Sequence, residues 1–137
     1  MIIDAENQIA GRLAAYVAKQ ALLGEKISIV NCEKAVMTGN RQVIMARFKQ
    51  KRELGAPLTG PYFPKKPEMI IKRIIRGMLP YKKEKGEKAF KNIRCYSGFP
   101  DDIKGEAKKV SGADISKVPN LNYVTIEDIA RQIGAKI

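Results

Sequence analysis

The groups that could do chemistry in this sequence are unevenly supplied. It has no histidine, so the commonest general base and metal ligand is missing. The cysteines are Cys32 and Cys95, in the apolar, strand-like contexts IVNCE and IRCYS. Two separated thiols cannot complete a four-ligand zinc site. They read as small buried hydrophobes in a reducing compartment. The segment GAPLTG has the glycine spacing of a phosphate-binding loop, but Pro61 and Tyr62 follow where Lys and Ser or Thr are required. TGN, ending at Asn40, can offer N–H groups to one phosphate, yet the same letters make an ordinary helix start. Glu84 and Glu87 stand among lysines and read as surface charges, not as a catalytic pair. The expectation is a protein with no catalytic residues, no metal, no cofactor and no small-molecule substrate.

Cations are what the chain does supply. It carries 26 basic and 14 acidic residues, a net charge of +12. Residues 1–38 hold four of each sign and residues 101–137 six of each, whereas residues 39–100 hold sixteen basic and four acidic. The whole excess lies in the middle of the chain. Uniform solvation does not require that; a polyanionic partner does. Two groups are candidates for phosphate contact. One is Lys65, Lys66, Lys72, Arg73 and Arg76, running into Lys82, Lys83 and Lys85. The other is Arg41, Arg47, Lys51 and Arg52. Tyr62, Phe63 and Tyr81 are interleaved with them; burial suits each, and stacking on an unpaired base is the alternative. Glycines 39, 60 and 77 suit either close RNA approach or ordinary turns.

These groups need a frame. Ile2 and Ile3 open a short strand, Gln8 to Leu23 repeats apolar residues at helical spacing, and Gly24 is a helix stop. KISIVN (26–31) is a nearly continuous β-branched run, as in a strand covered on both faces. Strand, helix and strand in about thirty residues form a βαβ unit with parallel pairing. Ala35–Met37 is a further short apolar stretch. Asn40 caps a helix over Arg41–Leu54, with Val43, Ile44, Phe48 and Leu54 turned inward. Residues 55–67 form a Gly- and Pro-rich loop, and Pro67 suits a first helical position. In the next helix Ile70, Ile71, Ile74, Ile75 and Met78 share an arc of roughly 140°, opposite Lys72, Arg73 and Arg76. Pro80 forbids its continuation. A basic turn leads to a short helix, EKAFKNI, with Ala89, Phe90 and Ile93 buried, and RCYS reads as a strand. Residues 98–118 show little periodicity. Thr125 and Asp128 have capping-box spacing before an Ile126, Ile129, Ile133 stripe, and Gly134 stops that helix.

A basic amphipathic helix can also lie on a membrane, but Ile70–Met78 is short and has no aromatic anchor. Its cations continue over a second helix, a loop and a turn, which suits a curved phosphate backbone better than a lipid plane. No apolar run reaches the roughly 18–20 residues of a membrane span, and MIIDAENQ is no secretory signal. RNA is favoured over DNA because no DNA-reading motif is visible.

The letters themselves then carry a resemblance. Asp4-Ala5, Gly11-Arg12-Leu13-Ala14, an apolar strand ending at Asn31 and Gly39-Asn40 resemble the opening of the universal family of large-subunit ribosomal protein thirteen. Arg76–Gly86, RGMLPYKKEKG, resembles that family's Gly-Met-Leu-Pro signature in its archaeal and eukaryotic form. The length, without a long carboxy-terminal extension, resembles archaeal members. The resemblance covers residues 1–98 and 121–134, while residues 99–120 depart from it. It implies a three-layer α/β/α fold with a small, mostly parallel four-stranded sheet. It also implies one domain over residues 1–137: a basic RNA-facing segment at 39–98, a variable loop at 99–120 and a carboxy-terminal helix at 125–134. The implied role is structural and non-catalytic: binding large-subunit rRNA early in subunit assembly, beside neighbouring ribosomal proteins, in the cytoplasm and away from membranes. The alternative is a free-standing RNA-binding or translational-control protein.

Overall fold

The structure is a computed structural model, and it describes residues 1–53, 64–110, 112–117 and 122–134. In chain order the elements are β1 (Ile2–Asp4), α1 (Ala10–Leu22), β2 (Ile27–Val30), a 3-10 turn (Cys32–Lys34), β3 (Val36–Thr38), α2 (Arg41–Glu53), α3 (Pro67–Gly77), α4 (Glu84–Lys91), β4 (Ile93–Cys95), a second 3-10 turn (Ile115–Lys117), β5 (Tyr123–Thr125) and α5 (Ile126–Gln132). The fold is mixed α/β.

β1, β2 and β4 pair in parallel, with Ile2 opposite Ser28 and Ile27 opposite Ile93. β3 does not join them. It pairs antiparallel with β5 in a separate ribbon, Val36 opposite Thr125. Among the described residues the sheet therefore has three parallel strands instead of the four expected. The reason lies in the connection. Only the 3-10 turn separates β3 from β2, and a parallel crossover needs a dozen residues or more.

The core lies between the sheet and its helices. Leu13, Val17 and Ala21 of α1 are fully buried, with Ile27 and Ile29 of β2, Ile93 of β4, and Ile70, Ile71 and Ile75 of α3. Tyr16 and Leu22, the chain neighbours of Val17 and Ala21, are exposed. Gly24 adopts φ +97 and ends α1 as its position suggested. In α2 Ile44 and Phe48 are buried and Met45 packs partly against the core; Val43 stays exposed, and Leu54 is outside the described residues.

Two helix starts are fixed by side chains. The Gln42 N–H donates to Asn40 Oδ1 at 2.9 Å, and the Asp128 N–H donates to Thr125 Oγ1 at 3.2 Å. TGN is thus a helix start. Thr125→Ala is expected to cost about 1 kcal/mol, seen as a lower urea midpoint with an unchanged slope.

The stretch after β4, which shows no periodicity in sequence, packs back on the amino-terminal strand. The Asp4 N–H donates to the Lys108 carbonyl at 2.9 Å, and the Lys108 N–H to the Ile2 carbonyl at 3.0 Å. The fully buried Gln8 accepts the Val110 N–H on Oε1 at 3.2 Å.

The two cysteines come together here. Cys32 follows β2 and donates its N–H to the Tyr96 carbonyl, next to Cys95. The neighbouring Cys95 thiol and burial push the Cys32 thiol well above its ordinary range. Cys32 is buried, as its context suggested, but Cys95 is only half-buried.

Candidate nucleic-acid interface

α3 carries Lys72, Arg73 and Arg76. Pro67 opens the helix, where its missing N–H costs nothing. Ile70, Ile71 and Ile75 hold the helix on the core, and Ile74 packs partly against it. Met78, expected on the same arc, is 45 % exposed. The helix has ended at Gly77, and Leu79 takes the inward place instead.

The opposite face presents Lys72, Arg73 and Arg76. Two of these are seated on rings. The Arg76 guanidinium lies 4.3 Å from the Tyr81 ring centroid, and Lys72 Nζ lies 5.0 Å from that of Phe90. Such contacts contribute about 0.5–1 kcal/mol at exposed sites. Their larger effect is to reduce the rotamer freedom that binding would otherwise have to freeze. Tyr81, open to burial or stacking in sequence, is 39 % exposed and serves as the platform for Arg76.

These side chains line a groove. One part, about 280 Å³, is bounded by Pro64, Met69, Lys72, Arg73, Arg76 and Phe90. A shallower part, about 230 Å³, runs on past Arg73, Arg76, Gly77 and Tyr81. The two share Arg73 and Arg76, and among the described residues no carboxylate lines either. Fixed cations beside apolar rings suit a phosphate backbone with its sugars and bases.

Beyond Tyr81 the charge continues. Lys82 and Lys83 are exposed ahead of α4, and Lys85 sits in its first turn. The helix begins three residues earlier than EKAFKNI implies, which draws Lys85 out of the turn, and Ile93 falls in β4. Cations at a helix amino terminus oppose the macrodipole, at roughly 0.3–1 kcal/mol each. Glu84 and Glu87 offset this only in part; they pair with Lys88 and Lys91 along the same helix. Stability alone gives no reason for so many lysines at that end.

Other candidates differ in their surroundings. Lys65 runs along the end of α5, its Nζ 3.7 Å from the position a Gly134 Cβ would occupy, and Lys66 is the exposed cap residue of α3. On α2, Arg41 lies 3.6 Å from Asp128, and Lys51 sits over Phe48 at 5.2 Å. Arg47 is exposed and Arg52 half-buried. α2 and α3 both pack on α5. Tyr62, Phe63 and Gly60 lie outside the described residues.

The other place to look for a ligand in an α/β fold is the carboxyl end of the parallel strands. Here the chain fills it. Asp4 Oδ1 accepts from Asn31 Nδ2 at 3.0 Å and from the Glu6 N–H at 2.9 Å. The Asn31 N–H donates to the Gly98 carbonyl, and the Gly98 N–H to Glu33 Oε2, both at 2.9 Å. Asp4 and Asn31, two of the resemblance-carrying residues, thus latch the strands together. Among the described residues no three His, Cys, Asp or Glu side chains group as metal ligands. No described helix is long and apolar enough to cross a membrane.

Sequence reasoning missed Phe90 as a platform and Gly86 as a packing residue. Gly86 is buried in α4, and a Cβ there would collide with the Pro80 carbonyl and come within 2.9 Å of the Tyr81 nitrogen. No local pattern reveals such a contact, because the groups that meet are brought together by the turn.

Comparison with known proteins adds independent weight. The sequence model of the family described as ribosomal protein L13 matches residues 1–102. The chain is 42 % identical over 136 residues to the large ribosomal subunit protein uL13 of Methanopyrus kandleri, covering 97 % of this chain and 86 % of that one. It is 43 % identical to the protein of the same name from Methanococcoides burtonii, over 98 % of both chains. With that of Thermoplasma acidophilum it shares 45 % identity over 97 % of both.

Proposed function

The chain belongs to the ribosomal protein L13 family, and on that basis we propose that it is a structural, non-catalytic component of the large ribosomal subunit. It binds large-subunit rRNA, supports early subunit assembly and works in translation. The observation that carries the RNA contact is the α3 groove, with Lys72 and Arg76 seated on rings and, among the described residues, no carboxylate in its lining.

In this reading the rRNA meets Lys72, Arg73 and Arg76 first, then Lys65, Lys66, Lys82, Lys83 and Lys85. Arg47, Lys51, Arg52 and Arg41 form a second contact on α2. Arg41 would exchange its surface pairing with Asp128, an interaction worth under about 1 kcal/mol, for a phosphate. The protein acts as one domain whose basic segment at 39–98 faces RNA, in the three-layer α/β/α frame that the resemblance in its sequence implies. Its other neighbours are ribosomal proteins, and its place is the cytoplasmic ribosome.

Sedimentation of a native lysate tests this directly. The protein is expected to travel with the large subunit through a sucrose gradient and to stay there after a high-salt wash. Recovery only in light fractions would instead indicate a free-standing RNA-binding protein.

A further inference from the structure

We propose that the protein has a second RNA-backbone groove on the far side of α4, so that it grips two phosphate tracks at once; this rests on the rRNA-binding reading above. The groove, about 410 Å³, is lined by Lys26, Ile27, Ser28, Lys91, Asn92 and Arg94. Its construction follows from the parallel pairing. β2 and β4 start side by side, and the Ile27 N–H donates to the Asn92 carbonyl at 2.9 Å. Alternation then buries Ile27 and Ile93 and turns their successors, Ser28 and Arg94, which are opposite each other, to the other face. Lys26 and Arg94 are exposed and have no ion-pair partner among the described residues.

Lys91 does have a partner, Glu87 at 3.5 Å. That pair is exposed and spaced i,i+4, so it is worth only a few tenths of a kcal/mol and yields readily to a phosphate. Among the described residues, no carboxylate and no aromatic ring lines the groove. In this it differs from the α3 groove, and the difference sets its ligand. With cations, a hydroxyl and an amide but no ring to stack on, it suits the sugar–phosphate backbone, not an unpaired base.

α4 is the ridge between the two sites. Phe90 lines the first groove and the next residue, Lys91, lines the second. Successive helical positions point about 100° apart, so one short helix separates two cationic walls. RNA backbone on both sides would clasp α4 between separate segments of rRNA.

The test is hydroxyl-radical footprinting of the full chain on large-subunit rRNA, comparing wild type with K26E/R94E and with R73E/R76E. K26E/R94E is expected to lose protection of one RNA segment while keeping the segment that R73E/R76E loses. Its affinity should fall roughly a hundredfold at about 0.1 M salt, and its salt slope by about two. Both changed residues are exposed, so the circular-dichroism melt should be unaffected. A wild-type footprint and affinity for K26E/R94E would overturn the proposal and turn attention to an acidic protein neighbour. Loss of the same protections in both variants would overturn it as well, since there would be one track. Loss of a segment by K26E/R94E with none lost by R73E/R76E would also overturn it, since the second groove would then hold the one track. If the wild type itself protects no segment, the rRNA-binding reading fails.

Discussion

Arg73→Glu combined with Arg76→Glu is expected to weaken binding to large-subunit rRNA by roughly a hundredfold at about 0.1 M salt. Each phosphate contact releases nearly one counterion, so losing two lowers the salt slope by about two and affinity by about tenfold each. Reversal adds repulsion, which makes this a lower bound. The fold should survive. Both residues lie on the face of α3 opposite Ile70, Ile71 and Ile75, and losing the Arg76–Tyr81 contact costs about 0.5–1 kcal/mol. A melt lowered by only a few degrees, with affinity down two orders of magnitude in filter binding, is the expected pair of results. Unchanged affinity would remove α3 from the interface. A lost melting transition would mean that the arginines hold the fold instead.

Gly86→Ala should do the opposite: damage the fold first and RNA binding only through it. A methyl group at residue 86 runs into the Pro80 carbonyl, and backbone cannot swing aside as a side chain can. Relief requires α4 and the Leu79–Lys83 turn to part, which opens Leu79 and Ala89, both nearly fully buried. The expected cost is about 3 kcal/mol, a melting point lower by roughly 10 °C at this size. Gly77→Ala is the control. Nothing lies within 4 Å of its Cβ position, and it ends a helix, so it should be neutral or slightly stabilising. Equal melts for the two variants would mean that α4 does not sit this close to the turn.

The contrast between these glycines shows what was legible in the sequence. Both stand near the same turn, and neither letter says which is packed against backbone. What was legible is what depends on neighbours along the chain. The isoleucine arc of α3, the Asn40 and Thr125 caps and the concentration of cations in the middle segment all belong to that class. What was hidden depends on distant chain meeting. Phe90 becomes a platform only because α4 lies beside α3. Lys26 looks neutralised in a segment of balanced charge, yet parallel pairing sets it next to Arg94. Met78 was placed wrongly because the helical arc was extended past the residue where the helix stops. The four-stranded sheet failed on connection length, which is visible in the sequence once the two strands are known.

The main-chain bonds between Lys108 and β1 have a consequence for the life of the protein before it meets RNA. β1 is an outermost strand, and a bare outer strand is a template on which a second copy can pair and begin to aggregate. Lys108 occupies part of that template with its own N–H and carbonyl, and its charged side chain discourages any newcomer. At the other margin β4 is three residues long and exposes Arg94. Both margins of the sheet are thus poor templates for a second copy. The pairing itself uses backbone groups, which many sequences could supply, so the stretch that carries it needs no periodic pattern; the charge on Lys108 is the part that depends on its letter.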